Sequence, residues 1–321
     1  MPLVGLGSWL STEPELLEKA VDEALEAGYR HIDTAYNYKN EHVIGNVLKR
    51  WLDQGKIKRE DIFITTKLPQ IGMRPEKVEY FLRKSLFKLQ LDFVNLYLVH
   101  LPFGCNYLDD ETLWPTKENG EIDFDATTDL VSIWKSMEEQ VDAGLTRSVG
   151  ISNFNCEQIE RICKNSRIQP ANLQVELHVY FQQKELRQTC QSHGITVCAY
   201  GAFGSPGRKE FYKTIGMEFD SPDLLSDPVV SEIATNHGKT SAQILLRFLV
   251  QQNIVVIPKS LTPERIRANL QVFDFELTTD DVQQLEKLDR GIAGRTFLLN
   301  NYKGVTELPE YPFKNELPTV S

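Results

Sequence analysis

Apolar residues along this chain fall into two alternating rhythms. The first is a set of short continuous runs at 3–6, 31–33, 62–67, 93–99, 147–151, 171–175, 195–199 and 253–257. Runs of this kind, rich in Val, Ile, Leu and Phe and without strict alternation, predict strands of a parallel sheet covered on its outer face. The second rhythm has apolar residues three and four positions apart. It predicts helices over 12–27, 41–54, 75–89, 129–143, 156–165, 185–193, 228–236, 241–250, 262–272 and 279–288. In the first of these, Leu16, Leu17, Ala20, Val21 and Ala24 share one face, with Ser11 or Thr12 as the expected N-cap and Gly28 as the C-cap. Each of the eight predicted strands is followed by a helix, which indicates an α/β fold, either a doubly wound sheet or a closed barrel. Eight repeats favour a (β/α)8 TIM barrel as a single domain over 1–321. The Rossmann alternative lacks its glycine fingerprint: Gly5-Leu6-Gly7-Ser8-Trp9-Leu10 has no third glycine. Three stretches fit neither rhythm. Loops 101–127 and 201–225 and an irregular tail, 290–321, are expected over the barrel's C-terminal face.

Composition narrows the function. A formal net charge of −10 argues against a nucleic-acid surface and against anionic membranes, so an anionic ligand needs a local cluster of cations. Cys105, Cys156, Cys163, Cys190 and Cys198 form no C-x-x-C pair, and their odd number suits reduced thiols in a cytosol. With no basic apolar leader at the start and no long apolar stretch, the expectation is a cytoplasmic protein. Nothing in the pattern calls for an obligate protein partner, so a monomer is expected, and no metal-ligand spacing is visible.

The chemistry collects where strands end. Asp33 closes the second strand and Tyr38 follows five residues on. Lys67 ends the third, His100 follows the fourth, Ser152 and Asn153 the fifth. Gln174 lies near the end of the sixth, Tyr200 ends the seventh, and Lys259 with Ser260 follow the eighth. Singly, each has a plain structural reading: Asp33 as a helix N-cap, His100 as a satisfied core histidine. As a ring on one rim they read as an active site. A buried Lys67–Asp33 pair beside Tyr38 is expected to lower the phenol's pKa, making Tyr38 a proton donor, with His100 orienting an incoming oxygen. In Ile257-Pro258-Lys259-Ser260-Leu261-Thr262-Pro263-Glu264-Arg265, Thr262 is the expected N-cap and Pro263 the first helical residue. Lys259, Ser260 and Arg265 around that positive helix end suggest a phosphate seat. The alternative is an ordinary cap with solvated side chains.

These residues resemble the aldo-keto reductase family over essentially the whole chain. The stretches 28–41, 62–68, 89–102, 150–154 and 257–269 carry the likeness. It implies a (β/α)8 barrel that binds NADPH/NADP+ without a Rossmann domain, and a catalytic tetrad of Asp33, Tyr38, Lys67 and His100. Hydride would pass from the nicotinamide to the carbonyl carbon of a small-molecule substrate while Tyr38 protonates the oxygen. The resemblance further implies that Ser152, Asn153 and Gln174 hold the carboxamide and that Tyr200 stacks on the nicotinamide. Gly7, Ser8, Trp9, Asp33, Gly201, Phe203 and Ser205 complete that contact set. Lys259, Ser260, Thr262 and Arg265 match the 2′-phosphate site and Asn269 an adenine contact. Trp9, Asn37, Tyr38, His100, Leu101 and Phe297 are the expected substrate-pocket walls. Three departures stand out: Pro69 and Leu101 replace tryptophans common in the family, and Ala268 replaces a glutamate. The resemblance also implies a short N-terminal hairpin below the barrel, expected here to be missing or truncated. Double-bond reductases of the family place Glu at the position of His100, so carbonyl reduction is expected. Two other classes would show different marks. A non-catalytic NADPH-binding relative would mark itself by loss of the tetrad, and a barrel hydrolase or isomerase would need paired carboxylates or metal ligands.

Overall fold

In the computed structural model, residues 1–214, 216, 219, 222–300 and 302–317 are described. The strands are β1 (Leu6–Gly7), β2 (His31–Asp33), β3 (Phe63–Leu68), β4 (Val94–Val99), β5 (Thr146–Ser152), β6 (Asn172–Glu176), β7 (Thr196–Tyr200) and β8 (Val255–Val256), hydrogen-bonded in that order. All neighbours run parallel. The first and last close the ring: Val4 bridges Val256, Gly5 N–H donates to the Val256 carbonyl at 2.8 Å, and Val256 N–H donates to that of Leu3 at 2.8 Å. A doubly wound sheet would leave these two edges apart. The structure is therefore the expected barrel.

The helices are α1 (Pro14–Ala27), α2 (Glu41–Asp53), α3 (Pro75–Leu89), α4 (Leu130–Asp142), α5 (Cys156–Asn165), α6 (Lys184–Ser192), α7 (Arg208–Thr214), α8 (Pro228–His237), α9 (Ser241–Val250), α10 (Pro263–Leu270) and α11 (Thr279–Glu286). In α1 the buried apolar stripe is Leu17, Ala20, Val21, Ala24 and Leu25. Gly28, at φ 102°, ends α1 as expected, a conformation costly for a residue with a Cβ. The start of α1 differs from the expectation. Glu13 occupies the N-cap without a side-chain bond, because Ser11 is held back in the β1 turn. There Ser11 N–H donates to the Ser8 carbonyl, and its own carbonyl accepts from Asn40.

The two expected loops carry structure that the hydropathy pattern does not announce. Segment 101–127 contains an antiparallel hairpin, Gly104–Cys105 with Phe124–Asp125, and 201–225 contains α7. Tail residues Val305, Leu308, Tyr311 and Phe313 form a second apolar cluster with Leu101 and Phe103. Trp114 and Tyr302 stack at 4.1 Å, again joining the first loop to the tail. The register sets the chemistry. Asp33 pairs with Gly7 and Thr65, Lys67 with Leu98, Ser152 with Gln174, and Glu176 with Tyr200, so the polar strand ends share one rim.

Candidate active site

At the centre of that rim Lys67 and Asp33 are almost wholly buried and 2.6 Å apart. The second Asp33 oxygen accepts from Gln174 Nε2 at 2.7 Å, so both carboxylate oxygens are satisfied. The Lys67 ammonium donates also to the Thr34 carbonyl at 2.8 Å and to the Tyr38 hydroxyl at 3.4 Å. Burial alone would favour neutral lysine, but Asp33 and then Tyr38 outweigh it and hold Lys67 above its usual range. Tyr38 corrects the sequence expectation. Burial raises its pKa, Lys67 lowers it, Asp33 raises it again, and the net shift is upward. The ammonium works as expected but loses to desolvation.

His100 sits edge-on to Tyr38, the ring centres 5.7 Å apart. Burial and the Lys67 charge push its pKa well below the ordinary histidine range, so the imidazole is neutral at pH 7. Its carbonyl accepts from Asn153 Nδ2 at 2.9 Å, while Asn153 Oδ1 accepts from the Tyr200 hydroxyl at 2.7 Å. Ser152 Oγ donates to the Gln174 carbonyl at 2.8 Å. The structure thus links Asp33, Lys67, Tyr38, Gln174, Ser152, Asn153, His100 and Tyr200 through short contacts. Ser8 joins them by donating to the Asp33 carbonyl through both N–H and Oγ, at 3.1 and 2.9 Å.

Trp9 follows Ser8, and its ring centre lies 5.7 Å from Phe297 and 6.3 Å from Phe211. Phe297 in turn packs edge-on against Tyr200 at 4.9 Å. Gly201, Phe203 and Ser205 lead out of β7 beside Phe297, whose ring is 3.7 Å from where a Cβ on Gly201 would stand. Leu101 is turned into the apolar cluster under the tail. Asn37 is half-buried next to His100.

At the end of β8, Ser260 Oγ accepts from Thr262 N–H at 3.1 Å. Thr262 is the N-cap of α10 by position, yet its hydroxyl makes no capping bond. Among the described residues, Lys259 and Arg265 are exposed and make no ion pair. Two unpaired cations, an unused hydroxyl and an open helix N-terminus form a donor set suited to a phosphate. Asn269 is buried one turn beyond Arg265 in α10.

Several residues escaped the sequence reading. Asn40 donates to the Ser8 and Ser11 carbonyls and accepts from Thr34, bracing the β1 turn against the β2 loop. Glu176 is fully buried and accepts from the N–H groups of Thr296 and Phe297, strapping the tail to β6. Arg208 donates to Thr296 Oγ1 at 2.8 Å and lies 3.5 Å over the Phe297 ring. Gln70 bonds Asn37 and the Leu113 carbonyl. Asn40 lies inside the 28–41 stretch and Arg208 inside loop 201–225, whereas Gln70 and Glu176 fall just outside the stretches 62–68 and 171–175.

Comparison with known proteins decides the family: the Aldo/keto reductase family matches residues 3–290. The chain belongs to the aldo-keto reductases. It is 43% identical over 321 residues to dihydrodiol dehydrogenase 3 of Bos taurus, covering 98% of this chain and 95% of the relative. Against aldo-keto reductase family 1 member A1 of Gallus gallus the identity is 43% over 320 residues, with the same two shares covered. An aldose reductase structure from Schistosoma japonicum superposes with a TM-score of 0.87 at 41% identity, covering 99% of this chain and 96% of that one. This aldo-keto reductase is therefore an NADP-dependent oxidoreductase that reduces carbonyl groups. The non-catalytic alternative gains no support from any of these relatives.

Proposed function

We propose that Tyr38 is the proton donor of this reductase, with Lys67, Asp33 and His100 as its supporting groups. The reading rests on one observation above all: the buried ammonium of Lys67 touches both Asp33 and the Tyr38 hydroxyl. When bound, NADPH supplies the hydride that adds to the carbonyl carbon. As charge grows on the carbonyl oxygen, Tyr38 gives up its proton, because an alkoxide is more basic than a phenolate. The upward shift of Tyr38 keeps that proton in place until the alkoxide forms. Lys67 stabilises the phenolate left behind, and Asp33 holds Lys67 charged and fixed. Neutral His100 directs the carbonyl oxygen toward Tyr38.

The residues present fit NADPH. Lys259, Ser260, Thr262 and Arg265 would hold the 2′-phosphate, which favours NADP(H) over NAD(H), and Asn269 would meet the adenine. Ser152, Asn153 and Gln174 would take the carboxamide and Tyr200 the face of the nicotinamide, with Gly7, Ser8, Trp9, Asp33, Gly201, Phe203 and Ser205 around them. Trp9, Asn37, Tyr38, His100, Leu101 and Phe297 would wall the substrate pocket, with loops 101–127 and 201–225 and tail 290–321 over the same face of a single 1–321 domain. Aldehydes, sugars and ketosteroids all fit this reading. The names of the relatives, a dihydrodiol dehydrogenase and an aldose reductase, keep cyclic and open-chain carbonyls in view. A monomeric cytoplasmic enzyme without nucleic-acid, membrane or obligate protein partners accords with the acidic charge and with five free thiols. Among the described residues no helix is long and apolar enough to cross a membrane.

The test is NADPH oxidation with a panel of aldehydes and ketones, for the native enzyme and Tyr38→Phe. The expected loss in kcat is about 10²–10⁴-fold, the range for removing a general acid, with NADPH binding by fluorescence titration retained. Turnover preserved in Tyr38→Phe removes Tyr38 from the donor role.

A further inference from the structure

Two amides beside the catalytic imidazole form a one-way chain of hydrogen bonds. It starts at the Leu113 carbonyl in loop 101–127, which can only accept. Gln70, fully buried, must therefore turn Nε2 toward it, and does so at 2.5 Å. That leaves Gln70 Oε1 facing Asn37, 2.6 Å from Nδ2. Asn37 has no choice of orientation either, because the flipped amide would set two carbonyl oxygens against each other. Its Nδ2 then also faces His100 Nδ1, at 3.5 Å. The arrangement has a visible cost. Asn37 Oδ1 is buried without a partner, a penalty that flipping would relieve if Gln70 allowed it.

We infer that Gln70 and Asn37 are positioning residues that fix His100 as the Nε2-protonated tautomer, so that a carbonyl oxygen entering the site meets an N–H. An N–H donor at Nδ2 is compatible only with a bare lone pair on His100 Nδ1. The ring's single proton is then on Nε2, which makes no hydrogen bond with any described residue. Burial and Lys67 keep the imidazole neutral, so the choice of tautomer decides whether it can donate at all. The long Asn37–His100 contact is of the kind that tightens when substrate compresses the site. The chain also ties the substrate loop to the imidazole, since Leu113 belongs to the segment whose tip is anchored at Asp110 by Lys84, Tyr80 and Tyr107. The family's tryptophan walls are replaced at Pro69 and Leu101 beside this relay. The inference rests on the proposed role of His100 but not on the identity of the proton donor.

The readout is long-range ¹H–¹⁵N NMR of the histidine-labelled, full-length protein without cofactor, with His100 assigned by its loss in His100→Gln. The native protein is expected to give a bare Nδ1 and a protonated Nε2. In Gln70→Met the Asn37 amide is free to flip, its Oδ1 becomes an acceptor for Nδ1–H, and the pattern moves toward the other tautomer. Asn37→Leu, which removes the donor, is expected to shift it in the same sense and less far. Aldehyde kcat/KM in Gln70→Met falls about five- to tenfold, the worth of one hydrogen bond, with NADPH affinity unchanged. A native Nδ1–H pattern, or a native pattern retained in both variants, overturns the inference whatever happens to the rate. Should Gln70→Met not fold, Asn37→Ser at the half-exposed end of the chain carries the same readout. Because the spectrum is read without turnover, its failure is distinct from a failure of Tyr38 as donor.

Discussion

Lys67 brings a full charge into a space that excludes water, and the cost is met only because Asp33, Thr34 and Tyr38 all face it. A buried ion pair of this kind contributes little net stability, yet breaking it from one side is expensive. Lys67→Met leaves the Asp33 carboxylate buried and half-partnered. The expected loss is about 3–5 kcal/mol of unfolding free energy, the range for stranding a buried charge, read by urea denaturation. Adding Asp33→Asn neutralises the stranded group while keeping an acceptor for Gln174. The double variant is therefore expected to recover most of the stability and none of the turnover. A double variant as unstable as Lys67→Met would show that lost packing, not lost charge balance, explains the single one. The pair was legible in the sequence because each member ends a strand, and one rim of a barrel gathers strand ends. The balance at Tyr38 was not legible. Spacing places an ammonium near a phenol, but only packing tells how much water both have lost, and burial reverses the net shift.

At the scale of elements, hydropathy gave the strands and helices that rest on the sheet, since their apolar period is imposed by the face they bury. It failed where an element is held by distant partners. The hairpin at 104–105 and 124–125, α7, and the turns of the tail have little period of their own. Glu176 holds residues 120 and 121 positions away, and Gln70 is fixed by a carbonyl 43 positions away. No local pattern encodes such pairings. The β8–α10 junction is the opposite case: Lys259, Ser260, Thr262 and Arg265 lie within seven consecutive positions, and a helix start brings them together whatever the rest of the chain does. Thr262 sits at the expected N-cap but leaves its hydroxyl unused, which suits a ligand better than a cap. If these groups hold the 2′-phosphate, Lys259→Gln combined with Arg265→Gln should raise KM for NADPH at least tenfold, two charge-assisted bonds being worth about 1.5–3 kcal/mol each. KM for NADH, which lacks that phosphate, should change little, and kcat with saturating NADPH should hold. Equal losses with both cofactors would place the phosphate elsewhere.

The whole barrel divides its labour between two ends. The proposed chemistry occupies the rim where the strands finish, while at the opposite end His31, the first residue of β2, is wholly buried. Its Nε2 is 3.3 Å from Thr65 Oγ1, and the Pro2 backbone carbonyl faces the ring. The ring is packed so tightly that a Cβ on Gly5 would stand 2.5 Å from Nδ1. Burial is the main cause that lowers its pKa from 6.5 to about 4, against a smaller opposing pull from Asp33. Folding therefore excludes a proton that the unfolded chain takes up readily between those values. Over that window the unfolded state binds more protons, so stability rises with pH and is lost as pH falls from about 6.5 toward 4, levelling off below. The contribution is about 3 kcal/mol across the window, from roughly 1.4 kcal/mol per pKa unit. Urea unfolding at closely spaced pH values between 7 and 4 measures it. His31→Gln, which keeps a polar contact to Thr65 and cannot be protonated, is expected to flatten the acid limb by that amount while costing some stability at pH 7. The comparison isolates His31 from the carboxylates, whose titration is common to both proteins. An acid limb of unchanged slope in His31→Gln would mean that the imidazole takes up its proton without opening the fold, and that acid sensitivity resides in other groups.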